Sequence, residues 1–509
     1  MHKFPPLPLS PVFVLSVLPS ALFLVLVLSV LWLPPVRAAE TAAIPDRDRY
    51  LLLDQRIIAK VENVALATGP VTKHPRNPLF DTGDLPWETA TTHMYADVIY
   101  DQEDELYKCW YFANTDLPLI SDEKAGFKAW KAHLAVGPDA PRGAEIGSGR
   151  KVLLYAYSKD GIEWTKPKLG MFTYKGKKTN IVLVGQISAG VMKDPNAKDP
   201  QKRFKIFGAA AHYRPLVVFS PDGIRWTKHH VLPKWDAMMD SHNLAIWVPQ
   251  LNVYVAFLRT RTNDAKGKNV RTVGRSTSED FMNWSEPEIV LTGDSYYYQI
   301  YNMSVLPYEG LHIGLSSMLS PNVWGARMPM ELTWSVDNTR TWRRLEPHDR
   351  RRRSNARRNR FADWYQVVPL GEKRGSYDYG CVFAAQAPIV MPDGSIRIYY
   401  SGQKKGHHFQ QGALCLATMK KDHWAGYTSL AAGKPAHLTT QPVIATGPTL
   451  WVTADVQPGG SVRVSVMDAR GQTRSTKTLR SDAAETGIGA IRGAPAVAVA
   501  PTPSCNASR

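Results

Sequence analysis

An all-β chain folded as a five-bladed β-propeller, followed by a small β-sandwich segment, is the architecture this sequence predicts. Three observations predict it. A Ser-x-Asp turn closing on Trp recurs about every 60 residues. Strand-like segments fill the intervals, and no long helical pattern interrupts residues 90–425.

The recurring phrase reads SKDGIEW at 158–164, SPDGIRW at 220–226, SEDFMNW at 278–284 and SVDNTRTW at 335–342. Its tryptophans are Trp164, Trp226, Trp284 and Trp342, with spacings of 62, 58 and 58 residues. A weaker fifth copy, KKDHW, ends at Trp424. Ser and Asp side chains close such turns by accepting backbone amides, and Gly161 and Gly223 permit positive φ. The turn is therefore expected between outer strands, with Trp packed beside a neighbouring strand. Asp160, Asp222, Asp280 and Asp337 belong to this turn and are read as structural.

Between copies, each unit pairs two apolar stretches across a turn. The first pairs 94–100 with 106–112, the second 188–194 with 203–211, and the third 243–249 with 253–259. The fourth pairs 302–308 with 311–317 and the fifth 384–391 with 396–402. Five all-β units of about 45–75 residues suit propeller blades. The propeller is expected over 70–425.

Residues 426–480 read as three strands of a sandwich-like segment, and 481–509 as a disordered tail, Ala- and Pro-rich without strand periodicity. At the other end, residues 11–33 are almost wholly apolar and precede Val36-Arg37-Ala38, a cleavage-site pattern. Residues 1–39 are expected to be a signal peptide or an N-terminal anchor, which places the rest in a secreted or periplasmic location. The four cysteines are too few for a disulfide framework; Cys381 and Cys415 either pair or remain buried thiols.

The formal net charge is +17. Nine arginines against Glu346 and Asp349 put +7 of it between Arg343 and Arg360. An exposed loop is the plain reading of this run. Contact of Arg350–Arg360 with an acidic polysaccharide or the cell surface is the functional one. Nucleic acid is not an expected partner of an exported chain, and a monomer is expected.

The chain resembles uncharacterised exported bacterial proteins related to glycoside hydrolase families 32 and 43. The matching phrases are HPRNPLF with PWE (74–88), VIYD…YKCWY (98–111) and YSKDGIEWTKPKLG with NIV (157–182). Later come YVAFLR with GRSTSEDFMNWSEPEIVL (254–291), YDYGCVF…IRIYYSGQKKGHH (377–408) and TLWVTADVQPGGSVRVSVMDARG (449–471). The resemblance covers residues 70–475 and implies a funnel at the propeller axis acting on a saccharide. The related sandwich runs longer, so the C-terminal segment is expected to be truncated.

Glycoside hydrolysis needs two carboxyl groups flanking the scissile bond. Candidates are those opening inner strands. Asp97 lies where the resemblance places the base or nucleophile. Asp240 opens the third unit, Asp378 opens the fifth, and Glu331 in the fourth is a candidate general acid. Glu88 and Asp294 are weaker candidates. Trp87, Tyr297, Tyr298 and Tyr301 are candidate sugar-stacking rings. Glu88, His242, Asn243, Gln299, Asn302, His407 and His408 are candidate hydroxyl partners. The second unit reads ISAGVM at 187–192 and lacks the aspartate that the resemblance implies there. No metal-ligand spacing and no cofactor motif appears.

Three functions remain open at this stage. The first is an exported glycoside hydrolase-like protein acting on an extracellular oligo- or polysaccharide. The second is a non-catalytic carbohydrate-binding propeller. The third is a sialidase-like enzyme, ranked lower because Arg259, Arg261, Arg271 and Arg275 crowd one unit.

Overall fold

The computed structural model describes residues 49–88, 94–115, 144–145, 151–184, 187–209, 213–227, 229–294, 298–321, 325–345, 354–355, 360–361, 365–407, 412–431, 433–443, 449–456, 458–468, 470–480 and 485–489. Among them the regular elements are strands and two short 3-10 helices, Gln55–Ile57 and Pro200–Lys202.

Blades 1 to 4 are antiparallel sheets whose strands follow in chain order from the axis outward. Blade 1 comprises Asp97–Asp101, Leu106–Asn114, Lys151–Ser158 and Ile181–Val184. Blade 2 comprises Ile187–Lys193, Phe204–Ala209, Pro215–Ser220 and His230–Val231. Blade 3 comprises Leu244–Val248, Val253–Asn263, Asn269–Ser278 and Glu288–Thr292. Blade 4 comprises Gln299–Tyr308, Leu311–Leu319, Met330–Ser335 and Arg343–Arg344. Their inner strands are the predicted apolar stretches. The five-bladed all-β propeller predicted from the repeat is the fold observed.

Blade 5 closes the ring. Cys381–Ala384, Ile396–Gln403 and Ala413–Met419 supply three strands. The outer position is filled from the beginning of the chain, by Thr72–Lys73 and Phe80–Asp81. Completing the last sheet with an N-terminal strand leaves no open edge between first and last blades. After Trp424 the chain turns away. Ala425–Ser429 pairs with Val64–Thr68, and His437–Thr440 pairs with Ile58–Glu62. The single inner strand expected over 384–391 is split into Cys381–Ala384 and Ile389–Val390, both paired with Ile396–Gln403.

The repeated turn follows the third strand of each blade and fastens it to the preceding blade. In the first copy Ser158 Oγ accepts from Gly161 N at 2.8 Å, while Asp160 Oδ1 accepts from Ile162 N and Glu163 N at 2.8 Å. Tyr399 of blade 5 then donates to the Gly161 carbonyl at 2.9 Å. Trp110 of blade 1 donates likewise to Gly223 O at 2.6 Å. A Cβ at Gly223 would meet the Trp110 ring at 2.4 Å, and φ there is +78°, so glycine is needed twice over. Trp284 packs on Phe207 of blade 2 and Trp342 on Phe257 of blade 3, with ring centroids 4.7 and 5.6 Å apart. The fifth copy does the same: Trp424 is fully buried, 5.9 Å from Tyr308 of blade 4.

Cys109, Cys381 and Cys415 are buried free thiols. Cys381 and Cys415 do not pair, because Ile396–Gln403 lies between their strands. Strands two places apart are roughly 9–10 Å apart, beyond disulfide reach. Beyond the propeller, Ser461–Met467 pairs with Thr473–Arg480 and Thr449–Thr453 with Glu485–Gly489. The strand at Glu485–Gly489 falls in the stretch read as disordered. Its pairing uses backbone groups, which leave no periodic signal in Gly- and Ala-rich sequence. The apolar N-terminal run, most of Arg350–Arg360, Tyr297, His408 and Cys505 lie outside the described residues.

Candidate active site at the funnel mouth

Residues that open the inner strands share one end of the ring with residues that end the second strands. Asp97, Asp240–Asn243 and Gln299–Asn302 approach the axis there. The hairpin of blade 3 overshoots its inner strand: Leu244 is opposite Phe257, but the pairing continues through Arg259 to Asn263. That overshoot carries arginines over the funnel mouth.

Asp97 is fully buried. Its Oδ2 accepts from Val191 N of blade 2 at 3.0 Å, and its Oδ1 lies 3.0 Å from His242 Nε2. Burial raises its pKa, and His242 opposes that rise. The His242 ring stacks on Tyr95 with centroids 5.2 Å apart. Tyr95 Oη donates to Tyr301 Oη at 3.0 Å, and Tyr301 also meets His407 edge-on at 5.1 Å.

Asp240 pairs with Arg259 Nη1, and its side chain keeps 21% exposure. Arg259 Nη2 donates to Tyr301 O at 2.9 Å, and the guanidinium lies 4.2 Å from the Tyr301 ring centroid. Arg259 N donates to Asn243 Oδ1 at 3.2 Å, so Asn243 positions the strand that carries Arg259. His242, Arg259, Tyr301 and Asn302 pack around a narrow gap with Phe257, Leu258, Thr272, Val273 and Met303. Asn302 is buried, and neither atom of its amide has a protein hydrogen-bond partner. Ser241 Oγ and Arg259 Nε are also buried without partners.

The structure therefore gathers Asp97, Asp240, His242, Asn243, Tyr301, Asn302 and His407. It brings Gln299 to the edge of this group, where its Oε1 accepts from Arg271 Nη1 at 3.1 Å. Other sequence candidates are bound up elsewhere. Glu331 is buried in the third strand of blade 4; it accepts from Tyr298 Oη at 2.8 Å and Arg344 Nη2 at 2.6 Å. Asp294 is also an Arg344 partner, at 2.8 Å. Asp378 accepts from Lys73 Nζ at 2.6 Å and Tyr400 Oη at 3.0 Å, and so ties the closing strand to blade 5. Trp87 donates to Asn180 Oδ1 at 2.8 Å, and Glu88 accepts from Tyr111 Oη at 2.5 Å and Lys166 Nζ at 2.9 Å. These last two belong to the packing of blade 1.

The sequence marks neither Tyr95 nor Lys151 as a site residue, and it weighs Arg259 only in the sialidase-like reading. Arg259 and Arg261 carried a readable signal, since alternate residues of a strand share a face. Tyr95 and Lys151 carried none.

No protein-family model and no curated protein matches the chain. Among solved structures, the chain is similar to the β-1,2-mannobiose phosphorylase from Listeria innocua, at 14% identity over 70% of this chain and 97% of that one, TM-score 0.40. It is similar to a glycosyl hydrolase from Bacteroides ovatus, at 12% identity over 72% and 98%, TM-score 0.42. It is also similar to Penicillium chrysogenum α-L-arabinanase, at 9% identity over 71% and 99%, TM-score 0.36. All three are distant likenesses.

Proposed function

We propose that this protein is carbohydrate-active, a glycoside hydrolase-like propeller that takes an oligo- or polysaccharide at its funnel mouth. The observation that carries the reading is Asn302. A buried amide with both nitrogen and oxygen unpartnered calls for a ligand that donates and accepts at neighbouring atoms. Sugar hydroxyls do both. Tyr301 and His407 supply ring surface beside it, and Asp240 supplies a solvent-reachable carboxylate.

In the hydrolytic form of the reading, Asp240, oriented by Arg259, is the carboxylate that meets substrate. Asp97, with its raised pKa, is the second carboxyl group of the pair. The apolar run at 11–33 supports action outside the cytoplasm. One observation favours a second form, in which the protein binds saccharide without cleaving it. Asp97 has no exposure, its Oδ2 is held by the Val191 amide, and its Oδ1 lies 3.0 Å from His242 Nε2.

A screen of glycan binding and sugar release, with Asn302→Ala and Asp240→Asn beside the parent protein, tests both forms. Release by the parent that Asp240→Asn abolishes supports hydrolysis. Binding without release, lost in Asn302→Ala, supports the binding form. A parent protein that neither binds nor cleaves any glycan refutes the reading.

A further inference from the structure

Three arginines share one face of blade 3 near Asp240 at the funnel mouth, and the field of the same carboxylate reaches Lys151 of blade 1. Arg261 and Arg271 are direct cross-strand partners in blade 3, and Arg259 lies two residues before Arg261. All three therefore stand on one face of the overshooting hairpin. Lys151 begins the third strand of blade 1, opposite Asn114 at the same end of the ring. Its Nζ lies 4.8 Å from the Phe112 ring centroid. The field of Asp240 reaches all four cations.

Like charges directly opposite in a sheet destabilise it. Here the cost is visible. Burial, then Arg259 and Arg261, push Arg271 down to about 10. Burial lowers Arg261, and Arg259 lowers it further. Burial brings Lys151 down to about 7. Arg275, on the same strand, shows the ordinary alternative: Glu288 Oε1 at 2.7 Å and Thr339 Oγ1 at 2.9 Å take its donors. Arg259 has Asp240 and the Tyr301 carbonyl, whereas among the described residues Arg261 donates to the neutral Asn269 Oδ1 at 2.7 Å and Arg271 to the neutral Gln299 Oε1 at 3.1 Å. The Nε atoms of Arg259, Arg261 and Arg271 are buried without hydrogen-bond partners. Beside them stands Asn302, buried and unpartnered, on the wall of the narrow gap that Arg259 also lines.

We propose that Arg259, Arg261 and Arg271 form a subsite for an oxyanion carried on the saccharide, so that the natural ligand is an acidic sugar chain. This rests on the carbohydrate reading above and adds the chemical class of the ligand. Guanidinium groups match carboxylate, sulfate and phosphate oxygens with paired N–H donors. An anion seated among them relieves the repulsion that the fold otherwise carries. Asp240 holds Arg259 in place and leaves the cluster with excess positive charge.

Titration calorimetry with four probes tests the proposal: an oligogalacturonate, its neutral methyl ester, a sulfated galactan oligosaccharide and inorganic phosphate. The oligogalacturonate or the sulfated oligosaccharide is expected to bind at least tenfold more tightly than the neutral ester, and whichever binds identifies the oxyanion. Arg261→Ala with Arg271→Ala is expected to abolish that preference while leaving any neutral-ester binding in place. Asp240→Asn is expected to tighten the acidic probe, a gain that misfolding does not mimic. Equal binding of acidic and neutral probes overturns the subsite and leaves the carbohydrate reading standing. Binding of inorganic phosphate with no saccharide bound keeps the oxyanion site but overturns its saccharide ligand and the carbohydrate reading together. Failure of every probe overturns both.

Discussion

His242 Nε2 lies 3.0 Å from Asp97 Oδ1, and neither side chain reaches solvent. The two residues come from blades 1 and 3, and Asp97 also holds the Val191 amide of blade 2. One buried contact thus ties three blades at the axis.

Removing one partner of a buried polar pair leaves the other unsatisfied and costs about 3–5 kcal/mol. Asp97→Ala is expected to fall in that range in urea denaturation. His242→Ala is expected to be strongly non-additive with it, with a coupling of about 0.5–3 kcal/mol in a double-mutant cycle. Additive losses would mean that the contact carries no energy.

Asp378 belongs to ring closure. Asp378→Ala strands Lys73 on the closing strand, and a loss of about 3 kcal/mol is expected. Glycan binding is expected to survive, because among the described residues the Asp378 carboxylate bonds Lys73 of the closing strand and Tyr400 of blade 5. Loss of binding in a variant with intact near-UV circular dichroism would return Asp378 to the site.

Asp280 tests the repeated turn. Burial works against its charge, but the amides of Asn283 and Met282 bring it down to about 2. A carboxyl group depressed on folding stabilises above its unfolded pKa, and the contribution is lost as pH falls toward the folded value. Asp280→Ala is expected to cost about 1 kcal/mol at pH 7, the ordinary worth of such hydrogen bonds. The difference from the parent is expected to shrink between about pH 4 and pH 2. Thermal melts at graded pH measure it.

Lys151 gives a pH dependence of the same sign in a higher window, because its folded pKa is lowered as well. Burial lowers its pKa to about 7 from 10.5, while Asp240 works to raise it. The unfolded chain then binds more protons between those two values, so stability rises with pH across that window. Lys151→Met is expected to remove that slope. Thermal melts of both proteins between about pH 7 and pH 10 check it. The charged and aromatic groups facing Lys151 are Asp240 and Phe112.

Legibility followed the range of the interactions. The Ser-x-Asp turns bond within a few residues, so Asp160, Asp222, Asp280 and Asp337 were readable as structural. The inner strands of blades 1 to 4 were readable too, because their apolar stretches and turns are local. Glu331 and Asp378 looked like Asp97 and Asp240 in the sequence: each is a carboxylate near a strand start. What separates them is Arg344 for one and Lys73 for the other, from 13 and 305 residues away.

By itself the sequence determined the number of blades and the turn that fastens them, since each copy of the phrase carries its own hydrogen bonds. Only the tertiary structure decided how the ring closes. Strands at Thr72–Lys73 and Phe80–Asp81 complete a blade that begins some 300 residues later, and backbone pairing over that distance leaves no local pattern. The funnel mouth was decided in the same way. Its charge balance depends on Lys151, Asp240 and three arginines that share a dielectric environment only once the blades are in place.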